Sequence, residues 1–238
     1  LAFVIVIGVA FVNLGEWQLR RLDERRTGND IVAAHEAQPP RPYRDVFGRV
    51  ITDADQWQRV IVTGTFDGAH QLQVRYRSNA GRVGSEVLTP LRTTSGDVLL
   101  VSRGLIVRTT MVEPDPSALP APPTGQVTVI GYVRRNEIGN EVATMPAEGA
   151  VRLVDSTAIG RWMGEPVLNG YVAAISVEPG QSGDLVAIQP PELSEGPHFW
   201  YSVQWFMFLG MAVVGLFWFI RGDIVKLRAE RRAAAQEP

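Results

Sequence analysis

The side chains best equipped for ligand chemistry fall in two short runs of the chain. One holds Trp17, Gln18 and Arg21, just past an apolar stretch; the other holds His198, Tyr201 and Trp205, at the start of a second one. On helices, Trp17 and Arg21 share a face at i, i+4, and His198, Tyr201 and Trp205 share another at i, i+3, i+7. A neutral imidazole ligates haem iron, an arginine fork pairs with propionates, and tryptophan and phenylalanine pack on a macrocycle. The same residue types also serve as plain interfacial anchors, with Trp and Tyr at headgroup level and Arg on lipid phosphate. Under either reading the two sets lie at one face of a membrane and are close enough in depth to meet.

The remaining sequence narrows the chemistry. There are no cysteines, which removes disulfides, thiolate metal sites, iron–sulfur clusters and cysteine nucleophiles. It also weighs against copper delivery, because Cu(I) prefers soft sulfur ligands. Lys and Arg number 23 against 25 Asp and Glu, a net charge of −2, so no nucleic-acid partner is expected. Neither a Walker-type phosphate loop nor a G-x-S-x-G elbow occurs, and Gly81 and Gly84 read as loop glycines. Asp53 and Asp55 read as solvated turn acids, and His35, His70 and His198 lack metal-ligand spacing. With no nucleophile or acid–base pair, the chain is not expected to be an enzyme.

The elements that must position these residues begin with the two apolar ends. Residues 199–220 carry no charge, are long enough to span a bilayer, and have aromatic residues crowded at both ends. Arg221, Lys226, Arg228, Arg231 and Arg232 follow, so residues 221–238 read as a basic cytoplasmic tail. Residues 1–14 are too short to span alone and read as the end of a first transmembrane helix whose earlier turns precede Leu1; a cleaved signal peptide is the alternative. Residues 15–38 continue as a helix leaving the membrane, stopped by Pro39 and Pro40. Arg20, Arg21, Arg25 and Arg26 then lie on the outer side, against the positive-inside rule.

Between the spans, residues 39–198 change to a period near two. Arg59–Phe66, Gln71–Arg77, Val87–Thr93, Val98–Val107, Val127–Arg134 and Gly170–Val177 read as strands, with Ser95-Gly96-Asp97 as a hairpin turn. In Gln71–Arg77, Leu72, Val74 and Tyr76 are expected to face one way and Gln73, Arg75 and Arg77 the other. Residues 113–125 form a proline-rich connector or lid, and Asp155 or Ser156 caps a short helix through Arg161–Trp162. The expected architecture is a membrane α+β protein: two transmembrane helices flanking an extracytoplasmic, antiparallel, β-rich domain closed as a barrel. It would be a multi-pass membrane protein with that domain in the periplasm or its equivalent.

The residues quoted so far resemble the SURF1 family. Leu14-Gly15-Glu16-Trp17-Gln18-Leu19-Arg20-Arg21 is similar to that family's L-G-x-W-Q-x-x-R after its first span, and His198-Phe199-Trp200-Tyr201 with Trp205-Phe206 is similar to its H-x-x-Y and W-F/Y at the second. Thr89-Pro90 and Leu100-Val101-Ser102-Arg103-Gly104 resemble its T-P and L-V-x-R-G-W, although Leu105 replaces the usual Trp and Gly196 a common Asn. The resemblance implies an assembly factor for an aa3-type cytochrome c oxidase that helps place haem a in subunit I. It implies His198 as ligand to the haem iron, Arg21 at a propionate, and Trp17, Gln18, Tyr201 and Trp205 around the pocket. Its partners would be oxidase subunits, subunit I and its neighbours, and membrane lipid. The alternative is an accessory subunit that stays in the mature oxidase or a respiratory supercomplex without binding a cofactor.

Overall fold

The structure, a computed structural model, describes residues 2–108 and 114–234. In chain order its elements are α1 (Ala2–Glu36), β1 (Arg41–Pro42), α2 (Arg44–Phe47), β2 (Arg59–Phe66), β3 (Leu72–Asn79), β4 (Arg82–Thr93), β5 (Val98–Val107), β6 (Gln126–Arg134), α3 (Glu141–Thr144), β7 (Ala150–Val151), α4 (Ser156–Met163), β8 (Tyr171–Glu178), β9 (Leu185–Val186) and α5 (His198–Ala234). They form two compact units, a helical pair of Leu1–Asp30 with Ser194–Pro238 and a β-rich unit of Ile31–Leu193.

In the helical pair, α1 runs without a break through the expected junction at Leu14, because no proline interrupts it before Pro39. Phe3–Glu36 and His198–Arg232 are both long and apolar enough to cross a membrane. Small and aromatic residues set their approach. Gly15 lies under the Phe206 ring, where an added Cβ would stand 2.7 Å from Cζ. Phe11 stacks on Trp205 and tilts against Phe208, both at 5.8 Å between centroids.

In the β-rich unit, β2, β6, β8, β5 and β4 pair in that order, and β4 pairs back to β2 through Gly64–Thr93, Thr65–Arg92 and Phe66–Leu91. The result is a closed five-stranded Greek-key barrel with OB-type connectivity. Four junctions of the ring are antiparallel, as expected, but β5 and β8 are parallel, joined through a long excursion over β6, α3, β7 and α4. The interior is filled by inward residues of alternating strands, among them Val60, Val62, Leu91, Leu99, Val101, Val129, Val133 and Val172, and capped at one end by Tyr43, Val46 and Phe47. Each such side chain contributes about 1.5–3 kcal/mol by burial. The first half of β4 extends past the ring to pair with β3 across a two-residue turn at Ala80–Gly81, both with positive φ. On this extension Leu72, Val74 and Leu88 pack on Ile159 of α4. That helix is capped by Asp155, which accepts from Thr157 N and Ala158 N at 2.8 and 3.2 Å, and stopped by left-handed Gly164.

Four local expectations are corrected. Strand β3 does not alternate to its end: a bulge between Val74 and Arg77 puts Tyr76 at φ +59° with its ring 64% exposed and turns Arg77 inward. Gln73, expected to face solvent, is fully buried and donates to Ser85 Oγ and Pro114 O. Asp55 is not solvated but 3% exposed, clasped by Arg49 and by the Thr52 amide and hydroxyl. Gly84 is a strand residue rather than a loop glycine, packed where the β5 backbone carbonyl of Ile106 leaves no room for a Cβ.

The proline-rich segment is tied down by Arg103. This side chain is fully buried and donates to Pro120 O at 2.9 Å, Ala121 O at 3.1 Å, Gln71 Oε1 at 2.8 Å and Gln181 Oε1 at 3.1 Å. Pro116–Ala118 forms a single 3-10 turn within the segment, and its expected first residue, Glu113, lies outside the described residues.

Candidate functional site

At the start of α5 the His198 Nδ1 lies 2.8 Å from Oε1 of Gln18 on α1, a contact spanning 180 positions of sequence. An amide oxygen only accepts, so Nδ1 carries a proton, and in the neutral ring Nε2 keeps its lone pair. Gln18 is 9% exposed, so the partner that fixes this tautomer is itself held by packing. Gly196, with φ +67°, leaves the other edge of the ring clear: a Cβ there would stand 3.6 Å from Nε2. The helix begins at this point because Pro197 has no amide proton to lose and its carbonyl accepts from Tyr201 N at 3.1 Å.

A groove of about 370 Å³ opens beside the imidazole, lined by Arg21, Glu24, Arg25 and His198. Arg21 donates to Glu24 at 2.8 Å and sits 5.8 Å over the Trp17 ring. Arg25 makes no hydrogen bond or ion pair among the described residues, so the groove carries one cation more than its carboxylate answers. One turn farther along, Arg26 holds Glu195 through two hydrogen bonds of 2.8 and 3.0 Å, clamping the approach to α5 against α1.

The structure therefore brings together Gln18, Arg21 and His198, with Trp17 attached through Arg21. Tyr201 is 47% exposed and Trp17 45%, and neither is among the groove's lining residues. Trp205 is turned into the helix–helix seam against Phe11 and is not among the groove's lining residues. Sequence alone gives Arg25 and Arg26 only as part of the basic cluster after the first apolar run, and it marks neither them nor Glu24 and Glu195 as site residues. Charges flanking an apolar run look alike there, and only the helix pairing separates those that meet the histidine. Among the described residues no three His, Cys, Asp or Glu side chains converge as a metal ligand set.

The model of the SURF1 family matches residues 5–210. The chain is also similar to uncharacterised SURF1-like proteins of Mycobacterium bovis and Mycobacterium tuberculosis. Each is 28% identical over a 245-residue alignment that takes in 100% of this chain and 88% of the relative.

Proposed function

The chain belongs to the SURF1 family of cytochrome c oxidase assembly factors, and we propose that it assists placement of haem a in subunit I of an aa3-type oxidase. In this reading it is a multi-pass protein of the bacterial plasma membrane, with the β-rich domain on the extracytoplasmic side and its groove at the outer headgroup level. Haem a is the cargo; the chain's own residues hold and orient it. His198 offers Nε2 as an axial ligand, with Gln18 fixing the ring by accepting from Nδ1. Arg21 and Arg25 face the anionic propionates across the groove, while Trp17 and Tyr201 supply exposed aromatic surface to the macrocycle. Trp205 acts one step removed, by fixing the helix seam beneath. A groove this open fits delivery, since a partner subunit can approach the cargo from the uncovered side.

The observation that carries the reading is the His198–Gln18 hydrogen bond, which leaves a lone pair on Nε2 beside an arginine-lined groove. The test is the optical spectrum of the protein purified in mild detergent from cells that make haem a. A haem a band near one per chain is expected, lost in His198→Ala and weakened about tenfold in Gln18→Leu, as for an outer-shell partner of a ligating histidine. A colourless wild-type protein, or an unchanged band in His198→Ala, would exclude the ligand role.

A second reading, an accessory subunit retained in the mature oxidase or a respiratory supercomplex, is favoured by one feature. Gly210 and Gly215 of α5 each have no neighbour within 4 Å of an added Cβ, which leaves room beside each of them for close approach of a partner helix. One copy per fully metallated oxidase, with no haem of its own, would decide for it.

A further inference from the structure

The β-rich domain contains a polar cavity, independent of the haem groove and unconnected with the reading above. It encloses about 230 Å³ and is lined by Tyr76, Arg77, Glu86, Arg134, Glu137 and Tyr171, among others. That volume lies below the ~300 Å³ at which pockets for drug-sized ligands begin, so only a small molecule or a single functional group enters.

The charges in this cavity are unequally satisfied. Glu137 accepts two hydrogen bonds from Arg77, at 2.8 and 2.6 Å, and a third from Val154 N at 2.7 Å. Glu86 accepts from Ser102 Oγ at 2.7 Å and lies 3.5 Å from Arg77 Nε. Both carboxylates are therefore committed to partners inside the fold. Arg134 is not: it makes no hydrogen bond or ion pair among the described residues, and its Nε is buried without a partner. Its guanidinium lies 4.0 Å over the Trp57 ring, which holds it flat but answers none of its N–H donors. Tyr171, 4% exposed, also lines the cavity, and among the described residues its hydroxyl makes no hydrogen bond. Burial pushes that hydroxyl's pKa up, so it stays protonated and able to donate. The open valences are thus donors, which call for an oxygen acceptor.

The backbone pays for this arrangement on both sides. Trp57 and Tyr76 have φ of +68° and +59°, a region that bulky residues rarely adopt. The Trp57 amide is held in place by Val133 O at 3.0 Å, on the strand that carries Arg134. The bulge at Tyr76 swings Arg77 in to neutralise the two glutamates. Such strain collects at sites with a function.

We propose that this cavity binds a small monocarboxylate, with Arg134 as the ion-pairing anchor and Tyr171 as a second donor. A planar carboxylate matches the guanidinium fork, and a single negative charge suits a pocket whose other wall carries two glutamates; a dianion such as phosphate would meet their repulsion.

The test uses the full chain in detergent, grown with 5-fluorotryptophan, with the Trp57 fluorine resonance identified by its loss in Trp57→Phe. Acetate, acetamide and phosphate are titrated at constant ionic strength. Acetate is expected to move the Trp57 resonance saturably, acetamide and phosphate to do so at least tenfold more weakly. Arg134→Gln should weaken acetate at least tenfold and Tyr171→Phe, which keeps the ring and so the packing, several-fold. Arg82→Gln, which removes the same charge at an exposed turn, should leave it unchanged. No saturable shift, tighter binding of phosphate than acetate, or full acetate affinity in both Arg134→Gln and Tyr171→Phe would overturn the proposal.

Discussion

At the residue scale, this chain buries charge in two different ways. Among the described residues Arg103 is the largest side chain buried completely, and its hydrogen bonds there go to neutral oxygens. Burial pushes its pKa down to about 10, still well above neutrality, so it remains a cation solvated by the fold's own carbonyls. Asp55 is the opposite case. Burial alone would raise its pKa, but the Arg49 guanidinium and the Thr52 amide and hydroxyl outweigh it and hold the carboxyl at about 2. A carboxyl depressed from its ordinary ~3.9 to about 2 stabilises the fold by about 2 kcal/mol, present above pH ~4 and lost as pH falls towards 2. Asp55→Asn should therefore cost about 2 kcal/mol in urea unfolding at pH 7, with the gap to wild type narrowed to about 1 kcal/mol or less at pH 2.5. An equal gap at both pH values would show that the side chain acts by shape rather than charge.

At the element scale, the helix seam rests on glycine. With 2.7 Å from an added Cβ at Gly15 to Phe206 Cζ, a larger residue must push the ring or the helix aside. Gly15→Leu should lower the stability of the helical pair by about 1–3 kcal/mol, read as a lower helical melting midpoint in detergent. Phe206→Ala in the same chain should recover part of the loss; no recovery would place the damage elsewhere. This contact also shows what a sequence can and cannot disclose. Arg59–Phe66 and Val98–Val107 were legible to the residue, because β-branched alternation and flanking turns are local signals. Tyr76 and Arg77 were misassigned because a bulge inserts one residue and reverses every face after it, leaving no mark in a short polar run. The return of β4 to β2 that closes the barrel, and the parallel junction of β5 with β8, depend on pairings between distant segments, which periodicity does not encode. At the site, Gln18, Arg21 and His198 were legible as types at a membrane boundary. Glu24 and Arg25, and the unanswered Arg134, became visible only once the fold had shown which charges have partners.

At the scale of the whole molecule, the proposed topology puts the barrel on the extracytoplasmic side of a membrane. Arg20, Arg21 and Arg26 are each matched to an acid, Glu16 at 3.7 Å, Glu24 at 2.8 Å and Glu195 at 2.8 Å. Orientation, however, follows the count of Lys and Arg near the spans rather than net charge, so these pairs do not cancel the cluster. What opposes it is the basic run from Arg221 to Arg232 at the far end of α5. An extracytoplasmic barrel requires that run to prevail. Because the chain has no cysteine, each introduced thiol reports alone. Ser95→Cys places one in the exposed turn between β4 and β5, and Glu230→Cys places one on the exposed last turns of α5. In intact spheroplasts a membrane-impermeant maleimide should label the first and spare the second until the membrane is opened. The reverse pattern would put the barrel in the cytoplasm and the His198 groove at the inner headgroup level, and delivery of haem a to the oxidase would then have to proceed from the opposite face.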